Sequence, residues 1–524
     1  MAELLYSTDQ IRDMDARAIA SGIDAFDLMC QAAASAWRQM QKLWPDAERI
    51  AVLCGPGNNG GDGLVMASLA REQGLDVTAF LMVDSSRLKG AAAQAWQLAR
   101  QSEVAIKPWQ NDDFYNYCRS ESASVVIVDA MLGNGARAGL TGDFLAATER
   151  VNSLDLPVLA IDQPTGVNAN SGSVKDVAVR ASATISFIAR TQGLYTGDAV
   201  DYCGRHCFDN LGLPERLGNM TASWPPVARA IFADDALEAL QPRAKSAHKG
   251  AAGRAVVVGG DDGFGGAALL TAGAAVRGGA GTVTLLTRSQ HRTAMLVRQP
   301  EVMVQPVDDW HVLQGAALRS LLTQASALAI GPGLGKSDWS INVLREILDW
   351  VADAGAPLVL DADALNLLAM QKLAWGDLAP AEARARWVIT PHPGEAARLL
   401  GCSVAEIQSD RFAAVRKLQS LAGTVCLLKG AGSLLAFPDS DVIDVCMHGN
   451  PGMASGGMGD VLSGFMVALL AQGLPSADAA RLAVCLHAKA ADLLAAQFGE
   501  RGLLASDLPA TFRKLLNKMQ DSLV

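Results

Sequence analysis

Through most of this chain, short apolar runs of strand length alternate with stretches whose apolar residues recur every three or four positions. In the N-terminal part, residues 49–54, 76–82, 104–109, 124–130, 157–161 and 183–188 read as strands, with helical periodicity between the first five. Ahead of them, Ser7 and Thr8 introduce an amphipathic stretch to about Ala20, and Met29, Ala33, Trp37 and Met40 mark a second helix. From Leu213 to Lys245 the periodicity fades, interrupted by Pro214, Pro225, Pro226 and Pro242. It resumes with strand patterns at 254–259, 281–287, 326–330, 357–361, 387–390 and 424–429, and with a helix ending near Arg277. Strand–helix alternation implies right-handed crossovers and a parallel sheet in each half. The expectation is two α/β domains, 1–215 and 246–524, joined by a linker over 216–245. The halves share an architecture but no clear sequence repeat.

The most glycine-rich stretch is Asn450-Pro-Gly-Met-Ala-Ser-Gly-Gly-Met-Gly-Asp-Val-Leu-Ser-Gly464. It reads as a loop feeding a helix on which Val461, Leu462, Phe465, Met466, Leu469 and Leu470 recur, with Asp460 in its first turn. Such a junction aims free backbone N–H groups and a positive dipole end at one spot, an anion site. A carboxylate there can accept the proton of a hydroxyl about to be phosphorylated. Read blandly, the stretch is a turn with an N-capping Asp.

Polar residues gather at the carboxyl ends of the expected strands, where open α/β sheets bind ligands. In the first half these are the loops 58–62, 129–139 and 162–167. Gly55-Pro-Gly-Asn-Asn-Gly-Gly-Asp-Gly63 fits G-x-G-x-x-G in spacing, but its Asn58, Asn59 and Asp62 are not what a plain dinucleotide cradle needs. In the second half the loops are 331–335, Asp361-Ala-Asp363, Thr390-Pro-His-Pro-Gly-Glu395 and Lys429-Gly-Ala-Gly-Ser433. They place a cation, carboxylates and a phosphate-sized cradle at one sheet edge, the inventory of phosphoryl transfer.

Composition narrows the class. Half of the 524 residues are hydrophobic and 19% are charged, as in a packed globular enzyme. The net charge of −10 argues against a general nucleic-acid or anionic-membrane binder. The most apolar segment, 461–474, is too short to span a bilayer, and no signal-peptide pattern opens the chain. The nine cysteines lack disulfide-like spacing; Cys203, His206 and Cys207 lie close together, yet no second pair follows at zinc-site spacing. A reducing cytoplasm, small-molecule substrates and a homo-oligomer are expected, without nucleic-acid or membrane partners.

Two sets of motifs carry a resemblance. Gly55–Val65, Val128-Asp-Ala-Met-Leu-Gly-Asn-Gly135 and Ile161-Asp-Gln-Pro-Thr-Gly-Val167 resemble, in order and spacing, the NAD(P)H-hydrate epimerase family. The resemblance implies a Rossmann-like α/β/α sandwich. It implies that Asn58, Asn59, Gly60, Gly61 and Asp62 hold the dinucleotide hydrate, with Gly133, Asn134, Gly135, Ala136, Arg137, Ala138 and Gly139. It also implies that Asp162 contacts the substrate and that Asn59, Asp129 and Thr165 coordinate K⁺, a hard ion suited to oxygen ligands. The second half resembles the ribokinase-like superfamily, in its ADP- or ATP-dependent NAD(P)H-hydrate dehydratase branch. It does so through His248-Lys-Gly250, 331–335, 390–395, 429–433 and 450–464. By that resemblance Ala267, Gly333, His392 and Asp460 contact the hydrate, with Asp460 as catalytic base. Lys429, Gly430, Ala431, Gly432, Ser433 and Gly459 hold the adenine nucleotide, and Mg²⁺ assists the transfer. The fused arrangement favours ADP over ATP.

Together the halves imply a repair enzyme. One would interconvert the R and S hydrates of NADH and NADPH, and the other would dehydrate the S form. The alternative is a vitamin or sugar kinase fused to a non-catalytic nucleotide-binding module. Three positions depart from the epimerase pattern. Gln163 and Thr165 stand where Ile and Ser are usual, and Arg190 where relatives carry a lysine. Arginine cannot shuttle a proton at neutral pH, so the epimerase half rests on Asp162 alone or is weakened.

Overall fold

The computed structural model describes residues 3–119, 123–133, 139–213 and 220–518. The chain folds as two compact units that divide between Ala228 and Arg229. The division falls inside the stretch expected to be a linker, which carries a strand and a short helix (Ala233–Ala236).

The first unit's strands are β1 (Glu3–Tyr6), β2 (Arg49–Cys54), β3 (Asp76–Leu81), β4 (Ala105–Pro108), β5 (Val125–Ala130), β6 (Val158–Ile161), β7 (Ala183–Phe187), β8 (Arg190–Thr191) and β9 (Arg205–Asp209). Seven of them form a sheet in the order β4-β3-β2-β5-β6-β7-β9. Every neighbouring pair is parallel. β2, β5 and β6 are apolar and buried almost throughout because helices cover both faces of a parallel sheet. The chain winds outward from β2 through β3 to β4 and then returns to β5, so the crevice between the ends of β2 and β5 is a topological switch point. The first helix, Thr8–Ala20, starts at a capping box formed by Ser7 and Gln10.

The second unit holds β10 (Ala228–Ile231), β11 (Arg254–Val258), β12 (Thr282–Thr287), β13 (Val302–Pro306), β14 (Ala327–Ile330), β15 (Leu358–Leu360), β16 (Trp387–Ile389), β17 (Val425–Leu428), β18 (Leu434–Phe437) and β19 (Ser440–Cys446). Their order is β13-β12-β11-β14-β15-β16-β17-β18-β19-β10. From β13 to β17 all pairs are parallel. Beyond β17 the sheet departs from the parallel expectation: β17–β18 and β18–β19 are antiparallel. The connections there, Lys429–Ser433 and Pro438-Asp439, are too short for a crossover helix.

The helix Met458–Ala471 is apolar on every side and buried from Val461 to Ala471. Its start agrees with the sequence reading, which put Asp460 in the first turn of a helix fed by a glycine-rich loop, and both Gly459 and Gly464 are helical. A Cβ on Gly464 would lie 2.2 Å from the carbonyl oxygen of Thr271, so glycine there is what lets two helices approach.

Candidate active sites

In the first unit, a cavity of about 430 Å³ opens at the switch point. Asn58, Asn59 and Asp62, from the first turns of the helix Asn58–Glu72, line it together with Gly133, Asp162 and Asp15. A Cβ on Gly133 would lie 2.8 Å from Oδ2 of Asp162 and 3.2 Å from Cβ of Asn59, so three loops distant in sequence meet at one point. Gly60 packs against the Gly55 carbonyl and Gly61 against Met29, and neither lines the cavity. Gly139 lies beside Lys175 and Asp176 and does not line the cavity. Asn134, Gly135, Ala136, Arg137 and Ala138 lie outside the described residues.

Asp162 and Ile188, both on the cavity wall, have left-handed backbones with φ of 66° and 67°. For isoleucine this is a strained conformation, and such strain concentrates at functional sites. Burial pushes the Asp62 carboxyl well above its usual range, and the neighbouring Asp162 and Asp15 add to the effect. Burial also raises Asp15. That residue was missed from sequence, where it reads as one polar position of an amphipathic helix.

Behind this wall lies a knot of oxygens. Asp129 is fully buried and accepts from the backbone N–H of Thr165 (2.8 Å), its hydroxyl (2.8 Å) and the backbone N–H of Met131 (3.2 Å). The Thr165 hydroxyl accepts in turn from the Leu132 N–H at 3.1 Å. Burial pushes the Asp129 carboxyl up to about 6 against these hydrogen bonds. Both amide atoms of Asn59 are buried without a hydrogen-bond partner among the described residues, as is Oε1 of Gln163. An orphaned amide oxygen, a buried carboxylate and a hydroxyl with a spare lone pair fit a weakly hydrated monovalent cation. Arg190 is spoken for elsewhere. Its guanidinium donates to the Tyr195 hydroxyl (3.3 Å), covers the Phe208 ring, and does not line the cavity.

The second unit gathers its polar residues at the ends of β15, β16 and β17. Lys429 and Asp361 pair at 2.7 Å, and the Ser463 hydroxyl donates to the other Asp361 oxygen, also at 2.7 Å. A Cβ on Gly459 would lie 3.2 Å from Nζ of Lys429, so the helix start and the strand end are in contact. Asp460, on that same first turn, is pushed up to about 6 by burial and by Asp361, with Lys429 opposing. His392 caps the helix Pro393–Leu400, its Nδ1 accepting from the Gly394 N–H, so the ring is neutral. Glu395 accepts from the His392 N–H and is pushed up to about 7 by burial. Gly430 and Ala431 sit exposed in the turn between β17 and β18, where Ser433 donates to the Gly430 carbonyl. Under that turn lies Arg411, a buried guanidinium donating to the carbonyls of Leu428 and Lys429. Sequence reasoning missed it as an ordinary helix-start charge. Gly333 packs against Phe264 and Ala267 at the end of β14, three strands from β17 and the turn that follows it.

Two α/β units, one with a carboxylate cavity at a switch point and one with a phosphoryl-transfer edge, define a bifunctional nucleotide-handling enzyme. The sequence model of the "NAD(P)H-hydrate dehydratase" family matches residues 255–514, and that of the "YjeF-related protein N-terminus" family matches residues 25–193. The bifunctional NAD(P)H-hydrate repair enzyme Nnr of Coxiella burnetii is 43% identical over 98% of this chain and 99% of its own. Its Escherichia coli namesake is 40% identical over 98% and 93%. A ribokinase-like superfamily protein of Enterococcus faecalis V583 superposes on 55% of this chain and 95% of its own, at TM-score 0.50 and 26% identity. The chain belongs to the bifunctional NAD(P)H-hydrate repair enzyme family.

Proposed function

We propose that the chain restores hydrated NADH and NADPH in two steps. The first unit interconverts the R and S hydrates, and the second dehydrates the S form with ADP, giving AMP and phosphate. The observation that carries the reading is the meeting of Lys429, Asp361, Gly459 and Asp460 at the start of a buried helix.

In the second unit, Ala267, Gly333 and His392 hold the hydrate with its hydroxyl at Asp460. Lys429, Gly430, Ala431, Gly432, Ser433 and Gly459 hold the nucleotide. Asp460 takes the hydroxyl proton as the oxygen attacks the β-phosphorus of ADP, and AMP leaves. The ester then loses phosphate from one carbon and a proton from its neighbour, restoring the double bond. Phosphorylation turns a poor leaving group into a good one, which is why a kinase fold suits a dehydration. Mg²⁺, when bound, neutralises charge on the transferred phosphoryl group. Among the described residues no three His, Cys, Asp or Glu side chains form a closed cage. That fits an ion carried largely by phosphate oxygens and water, with Asp361, Asp363, Glu395 and Asp460 as the carboxylates at hand.

In the first unit, Asn58, Asp62, Gly133 and Asp162 face the hydrate. Asp62, whose carboxyl is raised by burial and by the neighbouring Asp162 and Asp15, protonates the departing hydroxyl. Asp162 receives the proton of the water that re-adds from either ring face. Asn59, Asp129 and Thr165 would hold K⁺, whose charge offsets the substrate's phosphates. The reading includes functional domains near 1–215 and 246–524. A cytoplasmic setting is supported by nine free thiols. Self-assembly is supported by Leu296, Val297 and Met303, exposed at or near the edge strand β13.

Racemic hydrate tests both halves when offered with ADP and with ATP in parallel. The expected outcome is recovery of the reduced-cofactor absorbance beyond half, with stoichiometric AMP and inorganic phosphate in the ADP arm. A stall near half would remove the epimerase role, and a stable phosphate ester would make the second unit an ordinary kinase.

A further inference from the structure

Phe264 is 56% exposed at the N-cap of the helix Gly265–Arg277 and makes no side-chain capping bond. Phenylalanine is a poor residue for that position, where Ser, Thr, Asp or Asn would satisfy a free N–H. Neither the core nor the cap accounts for an aromatic ring here. Its surroundings do. Around Gly333, which has φ +60°, the nearest atoms to an added Cβ are the Phe264 carbonyl (2.3 Å), the Ala267 Cβ (3.1 Å) and the Phe264 Cβ (3.2 Å). The exposed ring is therefore carried on a residue whose backbone and Cβ pack directly beside Gly333 and Ala267, two of the smallest residues.

Position along the sheet and the helix says which part of a ligand reaches it. The turn carrying Phe264 follows β11. Two strands across, Asp361 follows β15, and four strands across, Lys429 follows β17. At about 4.8 Å per strand these are separations of roughly 10 and 19 Å. The helix gives the same scale. Leu270, six residues on and so about 9 Å along the axis, meets Gly457 beside Asp460.

We propose that Phe264 stacks on the adenine of the dinucleotide hydrate, a substrate-binding role resting on the reading that the reacting hydroxyl lies at Asp460. A flat base joined to the reacting ring through two riboses and a pyrophosphate can span that distance, and an exposed phenyl face is a general platform for it. The adenine of ADP, held beyond β17, lies on the opposite side of Asp460.

The test uses the full-length chain with three ligands. These are the S hydrate of NADH, the hydrate of reduced nicotinamide mononucleotide, which lacks the adenosine half, and ADP. Phe264→Ala is expected to raise KM for the dinucleotide hydrate about 5- to 100-fold, the scale of one lost base–aromatic stack. KM for the mononucleotide hydrate and for ADP should stay within twofold, and Phe264→Trp should keep the parent value. An unchanged KM for the dinucleotide, an equal rise for both hydrates, or a rise for ADP would each overturn the proposal. A parent chain that dehydrates neither hydrate would remove the underlying reading, and this inference with it.

Discussion

The Lys429 ammonium and the Asp361 carboxylate form an ion pair of 2.7 Å whose free carboxylate oxygen is taken by Ser463. Burial raises the Asp361 carboxyl, but Lys429, Ser463 and Thr390 outweigh it and hold the carboxyl below its ordinary range. For Lys429, Asp361 and Glu395 outweigh the burial that would lower it, and the ammonium is held above its ordinary range. Breaking such a pair from one side strands a buried charge, at a cost of about 3–5 kcal/mol. Lys429→Met and Asp361→Asn are each expected to lower the unfolding free energy of the second unit on that scale. The double variant should lose clearly less than the sum, read from urea unfolding of all four chains. Additive losses would show that the two charges do not depend on one another.

Asp460 should control the acid side of the dehydration. Its carboxyl is pushed up to about 6, and a base works only when ionised. The rate is therefore expected to fall tenfold per pH unit below about pH 6 and to level off above it. Asp460→Asn should reduce kcat by about 10²- to 10⁴-fold and flatten that limb. Stability moves the other way. A carboxyl raised on folding favours the native state below its unfolded value of 3.8, and that advantage is lost as pH rises through about 6. At pH 7 the ionised Asp460 is a liability, so the Asn variant should melt higher than the parent. A variant that is both inactive and less stable would point to a structural role.

Much of this arrangement was legible because parallel strands buried on both faces are written as unbroken apolar runs. The runs at 49–54, 254–259 and 387–390 match β2, β11 and β16 to within one residue. The polar loops then fell at strand ends, which brought Asn59, Asp62, Gly133 and Asp162 to one cavity, and Lys429 and Asp460 to one edge. What escaped is tertiary. β8 is two residues long, and β9, Arg-His-Cys-Phe-Asp, is too polar to read as a buried strand. Gly459 and Gly464 look like helix breakers until a lysine and a neighbouring helix are placed against them. Asp15 and Arg411 occupy ordinary helical positions, and nothing local records that one faces a carboxylate cavity and the other lies beneath the turn after β17.

The two activities should separate at Asp162. Its backbone, at φ 66°, disfavours alanine, whereas asparagine tolerates that conformation and keeps the side-chain shape. Asp162→Asn is expected to cut R-hydrate use at least 10²-fold while S-hydrate dehydration stays within twofold. Parallel losses in both assays, from a chain with normal unfolding, would mean that the two reactions share one site.

The Arg411 guanidinium provides a test of how the turn between β17 and β18, proposed to hold the nucleotide, is fixed. It donates to the carbonyls of Leu428 and Lys429, and a Cβ on Gly430 would come within 2.8 Å of it. Arg411→Lys keeps the charge but not the planar fork, so the turn should loosen without a charge being lost. KM for ADP is expected to rise several-fold with KM for the hydrate unchanged. Equal changes in both constants would place Arg411 in the general core.

Potassium dependence is the sharpest expectation for the first unit. Asn59 has two buried amide atoms without a hydrogen-bond partner among the described residues, and Asp129 is a buried carboxylate raised to about 6, mainly by its burial. A cation binds the ionised carboxylate, so K⁺ should accelerate epimerisation fully above about pH 6, and the response should fade below it as Asp129 protonates. The smaller, more strongly hydrated Na⁺ should substitute poorly, and the ADP-dependent step should ignore both ions. Thr165 decides whether the oxygens act together. Its hydroxyl already bonds Asp129 and the Leu132 N–H, leaving one lone pair for a metal. Thr165→Val keeps the shape and removes that oxygen, so half-saturation should need at least tenfold more K⁺, whereas Thr165→Ser should titrate like the parent. Equal epimerisation rates with and without K⁺, or a Val variant whose titration matches the parent, would leave this buried cluster a purely structural knot.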